Sequence, residues 1–408
     1  MVDAVGTLSA GSPCAAAEER QVLVWLPHSY TGRGPAESCV RIIEHFVEAG
    51  LKPTLFVNRS RKGVSGTVAV VEAAGGPLRA LPYRIVSAVA TARLTRMFAD
   101  AIDRAPAGSI AYFWPDVPLP LVERARRRGL VCVREMINSP LAHAKPILDD
   151  AYRAAGLEPS HGITDAQVAS ETRELLAQDL LFSANAEVDA ALVSLGIEPA
   201  RILRSTFGWV GDRFAPTADA SQGRSTAQFR VVFVGLMNVR KGIPVLLEAW
   251  AMAGIEGELV LAGTLEPVLQ PLVSAFCERP DVTHLGHVDD VAALYRSCDV
   301  FVFPTHEEGG PQVTYEAAAC GIPVITTPMG AARLIVDGES GRLCNAGDAA
   351  ALAGALTELA GDPELRKRLA QEAAARVGAF EYRTVGTQRA ALLRDACADL
   401  GEQRRRGS

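Results

Sequence analysis

Glu308 and Glu316 bracket the stretch E-G-G-P-Q-V-T-Y-E, in which two acids flank two glycines and a proline. The apolar run before it, C-D-V-F-V-F-P-T, is bounded by Asp299 and Pro304 and reads as a fully buried strand. Gly310 followed by Pro311 reads as a helix start, because proline at the first helical position gives up an amide that has no helical partner there. That helix is expected to run to Cys320 and stop at Gly321. Glu308 then lies on the loop leaving the strand. Glu316 lies inside the helix, its side chain leaning toward the N-terminus. Both carboxylates can face one crevice, with the amides of Gly309 and Gly310 and the positive end of the helix dipole between them. Such a setting suits a phosphate, and carboxylates beside a phosphate hold hydroxyls. On residue type alone a second reading stays open: Glu307 and Glu308 as solvated loop charges and Glu316 as an ordinary helix-surface residue.

A second cluster follows another strand. F-R-V-V-F-V (229–234) ends in Gly235, and the loop L-M-N-V-R-K-G-I-P delivers Arg240 and Lys241 to a helix expected to begin at Pro244. Cations at a helix N-terminus oppose its dipole, so structure alone does not favour them. An anion reverses that penalty: arginine grips phosphate oxygens bidentately and lysine adds a point charge, which together make a diphosphate clamp. Two solvated loop cations are the alternative. One ligand with a diphosphate near Arg240 and Lys241 and hydroxyl-bearing rings near Glu308 and Glu316 accounts for both clusters.

The elements that must position these residues alternate along the chain. Residues 1–19 are Ala/Gly/Ser-rich and expected to be a disordered tail, as is 401–408. Strands are predicted at 21–27, 53–57, 109–115, 130–135, 179–183 and near 201–206, and helices follow the loop T-G-R-G-P-A-E (31–37) and cover 164–178. The basic run of Arg124 and Arg126 to Arg128 belongs to a helix C-terminus ahead of Gly129, where cations are favourable; a nucleic-acid or membrane patch is the weaker reading. The span 210–228 is the natural linker. Strands then recur at 229–234, 258–262, 282–285, 299–303 and 322–326, with helix-length segments between them. Repeated βαβ units predict an α/β chain of two Rossmann-like parallel-sheet domains, 20–209 and 229–378, facing each other across a cleft. A helix at 379–400 is expected to pack back on the N-terminal domain.

Composition narrows the functional classes. With 408 residues, 49% hydrophobic and 22% charged, the chain suits two soluble globular domains. A net charge of -6 argues against a nucleic-acid partner. No apolar run reaches membrane-spanning length and the first residues do not resemble a signal peptide, so a cytoplasmic protein is expected, with peripheral contact at the inner membrane face left open. Eight scattered cysteines without a C-x-x-C pair support neither a zinc site nor a disulfide framework.

With both clusters in place, the C-terminal half resembles the retaining, GT-B type glycosyltransferases of family four. The resemblance is carried by G-L-M-N-V-R-K-G (235–242) and by E-G-G-P-Q-V-T-Y-E-A-A-A-C-G-I-P-V-I (308–325). In the N-terminal half it rests more loosely on G-R-G-P-A-E (32–37), L-F-S-A-N-A-E-V-D-A-A-L-V-S-L-G-I (181–197) and F-G-W-V-G-D-R-F (207–214). The resemblance implies a nucleoside diphosphate sugar donor, with UDP, GDP and ADP all open. Glu316 would hold the ribose, Glu308 the transferred sugar, and Arg240 and Lys241 the diphosphate. Gly235, Gly309, Gly310 and Gly34 would lend backbone close to the donor. It also implies same-face attack with retention, and no metal or other cofactor. The acceptor, saccharide or lipid-linked, stays open.

Three departures accompany the resemblance. Leu236 stands where the family usually has arginine, with Arg240 available instead. Arg33 interrupts the usual G-G-x-E loop, although Glu37 matches. The family's histidine in the N-terminal half falls to His143, after R-E-M-I-N-S-P-L-A-H, with Glu135 and Asn138 nearer the strand and His28 as competitor. A nucleotide-sugar epimerase of the same fold and a catalytically silent nucleotide-sugar binder are the alternatives in function.

Overall fold

Strand β1 (Arg20–Tyr30) sends Val22, Val24 and Leu26 into one core and Leu23 and Trp25 into another, the alternation that a strand covered on both faces requires. The computed structural model describes residues 19–75, 82–214 and 228–406. Around β1 lie β2 (Leu51–Ser60), β3 (Ala69–Glu72), β4 (Ile110–Phe113), β5 (Val131–Glu135), β6 (Leu180–Ser183) and β7 (Ile202–Arg204). They form a seven-stranded sheet of order β3-β2-β1-β4-β5-β6-β7, parallel throughout. The second sheet contains β8 (Phe229–Val234), β9 (Gly257–Ala262), β10 (Val282–Gly286), β11 (Val300–Phe303), β12 (Val324–Thr326) and β13 (Arg342–Leu343). Its order is β10-β9-β8-β11-β12-β13, again parallel.

Both sheets reverse their strand order beside the central strand, between β1 and β4 and between β8 and β11. Such switch points open a crevice at the carboxyl ends of the strands. The loops after β8 and β11 carry the basic pair and the two glutamates, so both predicted clusters leave one switch point.

Several boundaries differ from expectation. Pro311 is the N-cap and the helix covers Gln312–Ala319, with Gly321 in the left-handed region at φ +76°; Pro244 is inside the helix Ile243–Ala253, one residue later than a helix start. The helices Tyr83–Arg104 and Leu141–Ala154 and the short strands β3 and β13 carry no clear signal in the sequence. The expected tail at 1–19 lies outside the described residues apart from Glu19, and of the linker only the turn Gly211–Phe214 and residue 228 are described beyond Val210.

The tail expected from Gly401 is helical instead. The last helix runs from Tyr382 to Arg406 and lays Tyr382, Ala390, Leu393 and Cys397 in the core of the first domain. An i,i+4 pair, Glu402 with Arg406, lies on its final turn. At its centre Arg389 is fully buried and paired with the fully buried Glu135 at the end of β5, to which Tyr112 also donates. Arg389 lies 4.2 Å from the centroid of the Phe182 ring and donates to the Thr206 carbonyl at 2.8 Å. Arg389→Ala should therefore cost about 3–5 kcal/mol of stability, because it leaves the Glu135 carboxylate buried and unpaired. Arg394→Ala, which removes only a surface pair with Asp395, should stay within about 0.5 kcal/mol in the same urea titration.

Candidate active site

The loops after β8 and β11 are fastened to each other before either can present a charge. Gly242 has φ +73°, and a Cβ there would come within 2.0 Å of the Pro304 carbonyl oxygen, so the approach needs glycine. The His306 amide donates to the Arg240 carbonyl at 2.8 Å. The Thr305 hydroxyl reaches the same oxygen at 3.1 Å and the Glu307 carbonyl at 3.0 Å. Asn238 accepts from the Lys241 amide at 3.0 Å.

These fastenings place four charges in contact. Arg240 Nε lies 2.7 Å from Glu307 Oε2, its Nη2 3.7 Å from Glu308 Oε2, and Lys241 Nζ pairs with Glu308 Oε1. Glu307 and Glu308 are buried, which removes the solvated-loop reading. Burial and the neighbouring guanidinium of Arg240 pull the Lys241 ammonium well below its ordinary pKa, with Glu307 opposing. Glu307, which the motif pattern passed over, is as central as Glu308. Its Oε1 accepts from the amide and hydroxyl of Ser139 in the first domain, at 2.8 and 2.9 Å.

Asn138, noted in the sequence only as a neighbour of His143, accepts from Arg240 Nη2 at 2.7 Å across the cleft. Glu135 is committed to Arg389 and takes no part. Gly309 and Gly310 are pressed against the first domain: a Cβ on Gly309 would lie 2.1 Å from the Ile137 carbonyl oxygen, and one on Gly310 2.4 Å from the Phe207 ring. The Gly309 carbonyl accepts from Asn185 Nδ2 at 2.6 Å, and its amide lies 3.3 Å from Glu308 Oε2.

Glu316 points elsewhere, toward the Tyr295 hydroxyl and Arg213. Burial raises its carboxyl from 4.5 to about 7, against the lowering effects of Arg213 and the Tyr295 hydroxyl. Arg213 in turn borders a pocket of about 270 Å³ at the ends of β8, β9 and β10, whose floor includes Gly235 and Gly263. A Cβ on Gly263 would sit 1.9 Å from the Gly235 carbonyl oxygen, so that approach needs glycine at 263. Arg213 thus links the Glu316 carboxyl to this pocket, while Arg240 and Lys241 stand at the far end of the loop that starts at Gly235.

The histidine candidates lie apart from this cluster. His143 is within the helix Leu141–Ala154 and borders a cavity of about 470 Å³ with Ile147, Glu187, His306, Thr327 and Met329, a set that includes neither Glu308 nor Lys241. Its Nδ1 is buried with no hydrogen-bond partner among the described residues. His28, near the end of β1, lies 3.4 Å from Asp116. Gly34, at φ +65°, opens the helix Gly34–Ile43, and Glu37 is occupied by Arg41 at 2.8 Å and Lys62 at 3.4 Å. Among the described residues no group of three or more His, Cys, Asp or Glu side chains is placed to hold a metal ion.

Two parallel sheets of this order, facing each other and carrying an acid–base cluster at one switch point, define the GT-B architecture. The Glycosyl transferases group 1 model matches residues 228–362, the segment that carries the second sheet and both charge clusters. The capsular polysaccharide biosynthesis glycosyltransferase CapM of Staphylococcus aureus is 34% identical over 156 residues, 36% of this chain and 41% of CapM. Sucrose-phosphate synthase of Thermosynechococcus elongatus superposes with a TM-score of 0.70 at 20% identity, covering 94% of this chain and all of that one. Anabaena HepE, solved with UDP and glucose, superposes at 0.65 with 17% identity over 92% and 99% of the two chains. The alignments with curated relatives reach 41–65% of those relatives' lengths.

The raised pKa of Glu316 has a stability consequence of fixed sign. Between pH 4.5 and about 7 the folded protein holds a proton on Glu316 that the unfolded chain has released, so stability falls as pH rises through that interval. In Glu316→Gln that part of the fall should vanish, as measured by melting temperature across the interval without nucleotide. A variant with the wild-type slope would show that the carboxyl is not protonated there.

Proposed function

We propose that this chain transfers a sugar from a nucleoside diphosphate sugar to an acceptor hydroxyl, with retention of configuration and without a metal ion. The observation that carries the reading is the pairing of Arg240 and Lys241 with Glu307 and Glu308 at the β8/β11 switch point. Two cations at the start of a helix are disfavoured there unless negative charge lies beside them, and a diphosphate would supply that charge in place of the acids. The nucleoside would lie over Gly235 and Gly263, its ribose hydroxyls on Glu316. The transferred sugar would lie toward Glu308. The UDP and glucose bound to Anabaena HepE support UDP-glucose as the first donor to test, and the polysaccharide role of CapM supports a saccharide acceptor.

The chemistry follows from these positions. The bond between the anomeric carbon and the diphosphate oxygen breaks, and negative charge grows on the leaving group, where Arg240 and Lys241 stabilise it. The acceptor oxygen forms its bond on the face the diphosphate leaves, and its proton passes to a phosphate oxygen. The substituent at the anomeric carbon therefore keeps its orientation. His143, to which the resemblance gives the sugar-supporting role, would meet the ring only from the cavity it shares with His306, Thr327 and Met329.

Incubation with UDP-glucose should give slow hydrolysis without acceptor, unchanged by EDTA, and the glucose first released should be the α anomer by NMR. Glu316→Ala should weaken UDP binding at least about tenfold, or ~1.4 kcal/mol. Glu308→Ala should keep UDP binding within a few-fold and lose about 100-fold in turnover. Equal loss of UDP binding in both variants would refute this division of roles. Failure of UDP, GDP and ADP alike to bind at millimolar concentration would remove the transferase reading.

A further inference from the structure

Leu236, at the position after Gly235, is 43% exposed and offers no charge to a ligand. Arg240 is shared between Glu307 and Asn138. The second domain alone therefore brings two cations to a diphosphate, Arg240 and Lys241, and both are already paired with acids of their own domain.

The pocket floored by Gly235 and Gly263 is nevertheless cationic at its rim, and the charge comes from outside the second domain. Arg33, on the loop after β1, and Arg213, on the turn between the domains, both border it. Arg213 is spoken for: it acts on Glu316 and lies 5.1 Å from the centroid of the Phe214 ring. Arg33 is exposed and, among the described residues, has no ion-pair partner. The acid nearest in sequence, Glu37, is taken by Arg41 and Lys62. The other charged groups at the pocket, His287 and Asp289, lie 3.4 Å from each other.

The loop is built to project this side chain. Gly32 and Gly34 flank Arg33 at φ +80° and +65°, and a Cβ on Gly32 would meet the Lys62 side chain at 2.5 Å. Arg33 itself is extended, at φ -145°, so its own backbone tolerates any residue.

Resting on the proposed function, we infer that Arg33 is the diphosphate ligand that position 236 does not provide, so that the nucleotide is gripped from both domains. Its planar fork suits two phosphate oxygens. Arg33 and Gly235, from opposite domains, line the same pocket, so a diphosphate held there touches both domains.

Titration calorimetry of wild type, Arg33→Ala and Arg33→Lys with UDP and with uridine tests the assignment, with GDP or ADP and the matching nucleoside substituted if one of those is the diphosphate wild type binds. Arg33→Ala should bind the diphosphate at least tenfold more weakly and the nucleoside unchanged, with the difference shrinking in 0.5 M salt. Arg33→Lys should recover part of the loss. Diphosphate binding within twofold of wild type in Arg33→Ala overturns the assignment alone, as does an equal loss of the nucleoside, which would mark a base contact or a structural role. Wild type that binds none of the three diphosphates overturns the proposed function, and this assignment with it.

Discussion

The buried pair of Glu135 and Arg389 decides which domain the end of the chain belongs to. Helix Tyr382–Arg406 follows the second domain in sequence, yet its central guanidinium lies among Glu135, Tyr112, Phe182 and the Thr206 carbonyl of the first. Two ions taken out of water need excellent geometry to break even, and Arg389 finds it in a carboxylate, a carbonyl and an aromatic face. The chain consequently crosses between domains twice, at 208–214 and 377–382. The crossings touch: Trp209 pairs with Glu381, and the Trp209 indole donates to the Val377 carbonyl at 2.8 Å. Thr206, beside Arg389, also contacts Tyr315, the residue before Glu316. One connected network thus runs from the core of the first sheet to the helix that carries a site glutamate.

The cleft is held by contacts of a different kind. Ser139 to Glu307, Asn138 to Arg240, and Asn185 to Gly309 all join the first domain to the paired loops after β8 and β11. Arg333 Nη2 adds contacts to both carboxylate oxygens of Asp189, at 2.8 and 2.9 Å. On the proposed reading, Arg240 contacts Asn138 with the guanidinium that a diphosphate would also address. On that reading, donor binding and this contact between the domains compete for one side chain.

The sheets and both charge clusters were legible because their signals are local. Buried parallel strands are short apolar runs, and a cation at a helix start breaks a local rule, which is what makes Arg240 and Lys241 conspicuous. What escaped was non-local. Glu307 joins the two domains through Ser139, which lies 168 positions away, and Arg213 gains meaning only beside Glu316. The two glycines at 309 and 310 read as phosphate-loop residues, but in the structure their missing side chains admit Ile137 and Phe207. The helix at 141–154 was hidden for a mixed reason: Pro146 interrupts its pattern, and Ala151 and Tyr152 at its far end face the core of the second domain. The tail from Gly401 looked frayed because its charge run suggests solvation, and helix continuation there depends on docking upstream at Arg389.

On the proposed reading, the two acids beside the clamp have unequal fates when a diphosphate arrives. Glu308 is tied to Lys241 and, at 3.7 Å, to Arg240, both in its own domain, so losing those partners costs no contact between domains. Glu307 holds Arg240 with one oxygen and Ser139 with the other. A phosphate that takes Arg240 leaves Glu307 with Ser139 alone, and also competes with Asn138 for the same guanidinium. Donor binding then weakens one cross-domain contact at the moment it supplies another ligand to both domains. The cleft stays closed only if that ligand restores what the exchange removes. A cation from the first domain on the far side of the diphosphate does so, and Arg33 is the side chain in position to be that cation.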